Sequence, residues 1–336
     1  MVFEDLNMIK FNRKKIVNTI ASILALFLFL VWIVVVQPSC SHNKPVKEVV
    51  NTELLKDHVK FLTTDCFPRN SSTPGQLEKA ARYIEESFIK SGCTVERQKV
   101  LARGGDYSNV IARLNVGKGH KMIIGAHYDS CWSTPGADDN ASGVAGLLEL
   151  AGLLAKKDLP YEIELVAYTL EEPPYFGGLM MGSAVHARGL NRNKEKIDGV
   201  IVFEMIGYYS DTFLSQKYPI PMLYLYYPFQ GNFITVVGSM SQREFTKRIK
   251  IGMQGSTDLP VYSINAPTSL PGIDFSDHRN YWLYDYQAVM ITDTAFYRNT
   301  AYHKSNDTPD RLDYDRMGKV VLSVYQHLIT KEVKAN

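Results

Sequence analysis

The chain has 336 residues, 45 % of them hydrophobic and 21 % charged, the make-up of a folded protein with a large core rather than a disordered or fibrous one. Lys and Arg number 37 against 35 Asp and Glu, and outside residues 1–15 the two signs balance. No concentrated positive charge is left to hold phosphate backbones, so nucleic acid is not an expected partner.

Residues 1–15 carry Lys10, Arg13, Lys14 and Lys15 against Glu4 and Asp5 and read as a basic cytoplasmic segment. Residues 16–36 (IVNTIASILALFLFLVWIVVV) are uncharged; as a helix at ~1.5 Å per residue they span about 32 Å, close to the bilayer core. The preceding positive charges place the N-terminus inside and the body outside, which predicts a single-pass, membrane-anchored protein with its body, residues 51–336, on the extracytoplasmic side. The alternatives are a cleaved signal peptide and lipid attachment at Cys40. The apolar run is longer than a signal core, no A-x-A-like site follows it, and Gln37-Pro38-Ser39 is a poor approach to a lipidated cysteine. Residues 37–50 read as a linker and 51–336 as one domain.

Helical spacing marks 51–63 and 75–92, the second with Leu77, Ala80, Ala81, Ile84, Phe88 and Ile89 on one face. Short β-type runs follow at 94–100, 109–114 and 121–126. A helix is expected over 142–156, a strand over 161–170, a helix over 179–188, and strands over 199–205, 233–237 and 287–292. A helix over 314–330 closes the chain. This alternation predicts an α/β fold, a three-layer sandwich with a mixed, mostly parallel central sheet and flanking helices, plus the N-terminal transmembrane helix. Cys40, Cys66, Cys93 and Cys131 lack C-x-x-C spacing, so a cysteine-based zinc site is not supported; a Cys66–Cys93 disulfide is one possible pairing.

Polar residues recur where the strands end. His127 closes an apolar strand, with Asp129 two residues on and able to fix its tautomer. Asp138 and Asp139 precede a helix; one Asp suffices as a cap, which leaves the other free to act as a hard oxygen ligand. Glu171 and Glu172 follow the strand YEIELVAYTL, where two carboxylates would repel without a cation. Glu204 interrupts an apolar strand, and His303 lies in the loop after the strand at 287–292. Each has an ordinary structural explanation: a packed histidine, a helix cap, a solvated turn, an edge position. Together they supply two His and several carboxylates in loops after successive strands, a set suited to two zinc-like ions bridged by one carboxylate.

The ordered set H-Y-D-S, G-A-D-D-N-A-S-G, E-E, a strand-borne acid and Y-H-x-x-x-D-T resembles the M28 family of zinc peptidases over roughly residues 51–330. That family includes secreted bacterial aminopeptidases, glutamate carboxypeptidases and, more distantly, glutaminyl cyclases. The resemblance implies that Asp139 bridges two zinc ions, that His127 and Glu204 complete one site, and that Glu172 and His303 complete the other. It implies Glu171 as general base, Asp129 as the group orienting His127, and Ser276-Asp277-His278 as a loop lining the pocket or supporting the ligands. Two positions depart from it. Glu204 stands where the family usually has Asp, though FEMIGYY resembles a bacterial branch with Glu. Ile273 stands three residues before Ser276, where secreted aminopeptidases carry Tyr. Tyr302 resembles the glutamate carboxypeptidase arrangement and is the candidate for oxyanion stabilisation; a core tyrosine is the alternative.

The expected activity is that of a zinc metallopeptidase with a peptide substrate, an aminopeptidase first. The alternatives are a glutaminyl-peptide cyclotransferase and an inactive ectodomain that binds a partner. The Tyr-, Phe- and Met-rich region 206–275 reads as core and loop packing or as an apolar pocket wall. No basic cluster marks a pocket for acidic side chains. N-x-[ST] triplets occur at Asn70, Asn140 and Asn306, and a glycan on Asn140 would conflict with Asp139 as a ligand.

Overall fold

The computed structural model describes residues 2–40, 43–103 and 105–330, with side chains from residue 13 onward. Residue 1 of the basic segment, residues 41–42 of the linker and residues 104 and 331–336 of the domain lie outside that range.

Helix α1 (Val2–Val31) runs on through a wider turn, Trp32–Val36. Ile16, Ile20, Ile23, Leu26, Phe27 and Leu30 are all at least half exposed, and the stretch Arg13–Val36 is long and apolar enough to cross a membrane. The described residues of the segment expected as a linker, 37–40 and 43–50, are irregular but packed against the body. The Lys250 ammonium donates to the carbonyls of Val36 (3.0 Å) and Gln37, and Ser263 Oγ donates to Val36 O (3.0 Å). The Gln37 side chain donates to Arg243 O and accepts from Asn265, and Asn43 Nδ2 reaches three carbonyls between Ile251 and Gln254. Tyr226 Oη also donates to Leu28 O, inside the apolar helix.

Eight strands form one sheet in the order β1-β2-β4-β3-β5-β8-β6-β7. They are β1 (Thr94–Ala102), β2 (Gly105–Leu114), β3 (Lys121–His127), β4 (Glu162–Tyr168), β5 (Ile197–Phe203), β6 (Ile234–Ser239), β7 (Val261–Ala266) and β8 (Ala288–Thr292). The central run β4-β3-β5-β8 is parallel, as is β6 with β7, while β1–β2, β2–β4 and β6–β8 pair antiparallel.

Side chains alternate across the pleat. Met122, Ile124 and Ala126 of β3 face a large core with Leu165, Ile201, Phe203 and Val289. That core is covered by α2 (Thr52–Lys60), α3 (Pro74–Lys90), α4 (Gly143–Leu154), α6 (Arg243–Met253) and α8 (Tyr314–Thr330). Ile123, Val166, Val200 and Val202 face the opposite side, under α5 (Gly182–Arg192) and α7 (Arg279–Trp282). This is the three-layer α/β arrangement expected. Helix α6 and strand β7 stand outside the expected elements, and Cys66 and Cys93 are buried free thiols rather than a disulfide.

Candidate active site

The parallel strands end side by side, and the loops leaving their C-terminal ends carry the polar residues, where an open α/β sheet holds its crevice. His127 is the last residue of β3, Glu171 and Glu172 follow β4, Glu204 follows β5, and His303 lies beyond β8. Leu170, Met205 and His303 adopt left-handed backbone (φ 58°, 52° and 55°), which turns the chain sharply beside Glu171 and Glu204 and at His303 itself.

The remaining contributor is the loop 129–142, which leaves β3 after His127. Arg69, fully buried, reaches into it and donates to the carbonyls of Tyr128 (2.9 Å), Gly136 (2.6 Å) and Pro135, and to Leu62 O (3.3 Å) outside it. Gly136 is required there: its φ is +60°, and a Cβ would lie 2.2 Å from Asp139 O. The Asp307 carboxylate accepts from the backbone N–H groups of Asp138 and Asp139. Asp138 points away from the cluster, accepting from Gly207 N and Asn299 Nδ2. Asn140 is buried, donates to Phe203 O and accepts from Met205 N and Gly143 N, so its side chain is committed to holding the loop against β5.

Asp139 divides its two oxygens between two clusters. Its Oδ1 lies 3.3 Å from His127 Nε2, which is also 3.3 Å from Glu204 Oε2. Its Oδ2 lies 3.1 Å from His303 Nε2, which is 3.3 Å from Glu172 Oε2. Glu171 lies within 4.0 Å of His127 Nε2. The five expected ligands are thus brought together, with Glu171 beside them. Asp129 does more than the resemblance implies. Its carboxylate accepts from Glu171 N and Glu172 N, clamping the turn that aims both glutamates, and its backbone carbonyl lies closer to His127 Nδ1 (3.2 Å) than its carboxylate does (3.5 Å). Ser276 Oγ donates to Glu204 Oε2 at 2.6 Å, so the Ser276-Asp277-His278 loop supports a ligand candidate.

The donor chemistry fits a cation. Asp129, Asp139, Glu171, Glu172, Glu204 and Asp277 are all buried, and His127 and His303 are too few to balance them. Among the described residues, His127 Nε2 and Glu172 Oε1 are buried without a hydrogen-bond partner. Such groups are costly unless something binds them. Burial pushes Glu171 well above the usual carboxylate range, and burial with the nearby Asp139 charge lifts Glu172 to about 7. Burial also raises Glu204. Burial would raise Asp139 too, but the imidazoles of His127 and His303 outweigh it and hold Asp139 below its ordinary value.

Beside this cluster lies an apolar cavity whose wall includes Glu204, Tyr302, Tyr218, Phe233, Ile273 and Phe275. The aromatic region 206–275 therefore contributes a pocket wall as well as packing, and Ile273 adds to its apolar surface. Tyr302 stacks on His303 (ring centroids 3.8 Å apart) and borders both the cavity and the second cluster. The sequence assigns no role to Arg69 or Asn299, because neither carries a local signal of what it braces; Asp307 enters there only as the acid of Y-H-x-x-x-D-T, with no role attached.

The model of Peptidase family M28 matches residues 109–327. The uncharacterized protein YfbL of Escherichia coli (strain K12) is 46 % identical over 311 residues, covering 90 % of this chain and 95 % of that protein. Leucine aminopeptidase 1 of Uncinocarpus reesii is 25 % identical over 72 % of this chain, which spans only 58 % of that protein's length. Among solved structures, the Legionella pneumophila LapA aminopeptidase aligns with a TM-score of 0.66 at 19 % identity, over 83 % of this chain and 70 % of its own. A Zn-dependent exopeptidase from Parabacteroides distasonis gives 0.64 at 15 % identity, over 85 % of this chain and all of its own. A glutaminyl cyclase from Bacteroides thetaiotaomicron gives 0.63 at 16 % identity, over 85 % and 99 %. Structural likeness at these identities speaks for the fold, whereas the family match over most of the domain and the 46 % identical relative place the chain by sequence: it belongs to peptidase family M28.

Proposed function

We propose that the protein is a zinc-dependent aminopeptidase that uses two ions, anchored in a membrane by α1 with the body on the extracytoplasmic side. The observation that carries the reading is the division of Asp139 between two His–carboxylate pairs. His127, Asp139 and Glu204 would hold one ion, and Asp139, Glu172 and His303 the other. Zinc bound there supplies Lewis acidity, lowering the pKa of a hydrolytic water and polarising the scissile carbonyl.

The chain's own groups do the rest. Glu171 takes the proton of the attacking water and returns it to the leaving amine, a task suited to a carboxylate whose proton affinity is already raised by burial. Tyr302 donates to the carbonyl oxygen as charge develops on it. Asp129 fixes the turn that aims Glu171. The apolar cavity takes the side chain of the terminal residue, so apolar residues are preferred.

The test is incubation of the purified chain with zinc and a peptide mixture, with and without chelator, followed by mass spectrometry. Chelator-sensitive loss of single N-terminal residues supports the proposal. Loss from the C-terminus moves it to carboxypeptidase action, and ammonia release alone moves it to cyclisation. No turnover together with no bound metal would leave a binding ectodomain.

A further inference from the structure

We propose that Cys131 is a protein ligand of the second metal position, beside His303, Glu172 and Asp139. The assignment rests on the zinc reading above and goes beyond it.

Cys131 is a buried free thiol two residues after Asp129. Its backbone is fixed by the turn in which Thr134 N (3.0 Å) and Thr134 Oγ1 (2.7 Å) both donate to Cys131 O. The Cys131 Sγ, a Glu172 carboxylate oxygen and a His303 ring nitrogen all lie within 4.8 Å of one another. Independently, Glu172 Oε1 is buried in the same cluster without a hydrogen-bond partner among the described residues. Asp139 Oδ2 lies 3.1 Å from His303 Nε2 and, shared between the two positions, would be the fourth donor here. The first position has three: His127, Asp139 and Glu204.

The inequality has chemical content. Four protein donors describe a closed site and three an open one, so the His127 position is the one with room for water and the His303 position the one that holds its ion fast. A thiolate also favours zinc or cobalt over magnesium, calcium or manganese at that position. On metal binding the S–H bond ionises, the sulfur lone pair forms the metal bond, and the proton leaves to solvent.

The test uses the full-length chain in detergent, stripped by chelator and titrated with cobalt(II). The expected result is a near-ultraviolet thiolate-to-cobalt charge-transfer band that Cys131→Ser abolishes while circular dichroism is unchanged. In chelator competition, Cys131→Ser should release one of its two ions at least about ten-fold more readily, by analogy with weaker outer contacts that already cost 10–100-fold. Visible cobalt d–d absorption without the charge-transfer band overturns the Cys131 assignment alone. No cobalt absorption at all overturns the metal reading and this assignment with it. Zinc-edge X-ray absorption on the unmutated protein gives an answer even where the variant does not fold: a sulfur scatterer at ~2.3 Å supports the ligand, and only nitrogen and oxygen scatterers refute it.

Discussion

Replacing Arg69 by Met keeps the bulk of an unbranched side chain and removes the guanidinium. Three buried carbonyls, at Leu62, Tyr128 and Gly136, and the half-buried one of Pro135 then lose a donor. An orphaned buried acceptor costs about 1–3 kcal/mol, and relief of the buried charge returns part of the sum, so a net loss of about 3–5 kcal/mol is expected. That is a large share of the ~5–15 kcal/mol that holds a typical protein folded. Because three of the four carbonyls flank the loop carrying Asp129 to Asp139, zinc affinity should fall with stability. Urea unfolding of the full chain in detergent, with and without zinc, measures both, and Trp132 offers a fluorescent probe in that loop. Arg69→Lys should rescue little, since an ammonium cannot span four carbonyls. A loss below about 1 kcal/mol with unchanged zinc affinity would refute the view of Arg69 as the loop's template.

Three further outcomes are expected. Glu171→Gln should lower kcat by about 10²–10⁴ while metal content and melting temperature hold; full activity would remove Glu171 as the base. Gly125→Ala should destabilise the protein by about 1–3 kcal/mol or more, since its Cβ would lie 2.2 Å from the Tyr168 ring on the neighbouring strand; an unchanged melting temperature would show that the ring can move aside. Burial holds His58 down at about 4, so the folded state resists protonation that the unfolded state accepts near 6.5. The depressed imidazole keeps its contribution above pH 6.5 and loses it as pH falls towards 4, by up to about 3 kcal/mol. His58→Asn should flatten that part of the stability profile, and an identical slope in both proteins would remove His58 as its source.

The strands that position the site were legible because they are buried on both faces: β3, β4, β5 and β8 read as apolar runs, and each ends where polarity begins. The ligand candidates were legible for the same reason, since a Glu or His abutting an apolar strand needs a partner. What escaped was long-range bracing. Arg69 lies 59 positions from Tyr128, and nothing local marks it as a loop template. Strand β7 mixes Ser263 and Asn265 into its run because those side chains serve Val36 and Gln37, so its composition reads as loop. In α6, Phe245, Ile249 and Met253 keep a four-residue spacing among charged neighbours, a weak stripe that buries against the sheet all the same. Cysteine spacing argued against a cysteine-based site, yet it is silent about one thiol meeting a His and a Glu from distant loops.

The packing of Val36, Gln37 and Asn43 bears on how the enzyme explores its surroundings. A supple stalk would let a tethered body tumble and sweep a hemisphere above the lipid. Here Lys250, Ser263 and Asn265 grip the chain at Val36 and Gln37, immediately after the apolar helix, and Tyr226 holds that helix at Leu28. With α1 as the proposed anchor, the cleft keeps a set height and heading over the bilayer. A cleft held at one height would favour chain ends displayed at that distance from the lipid, while small free peptides would still reach it by their own diffusion.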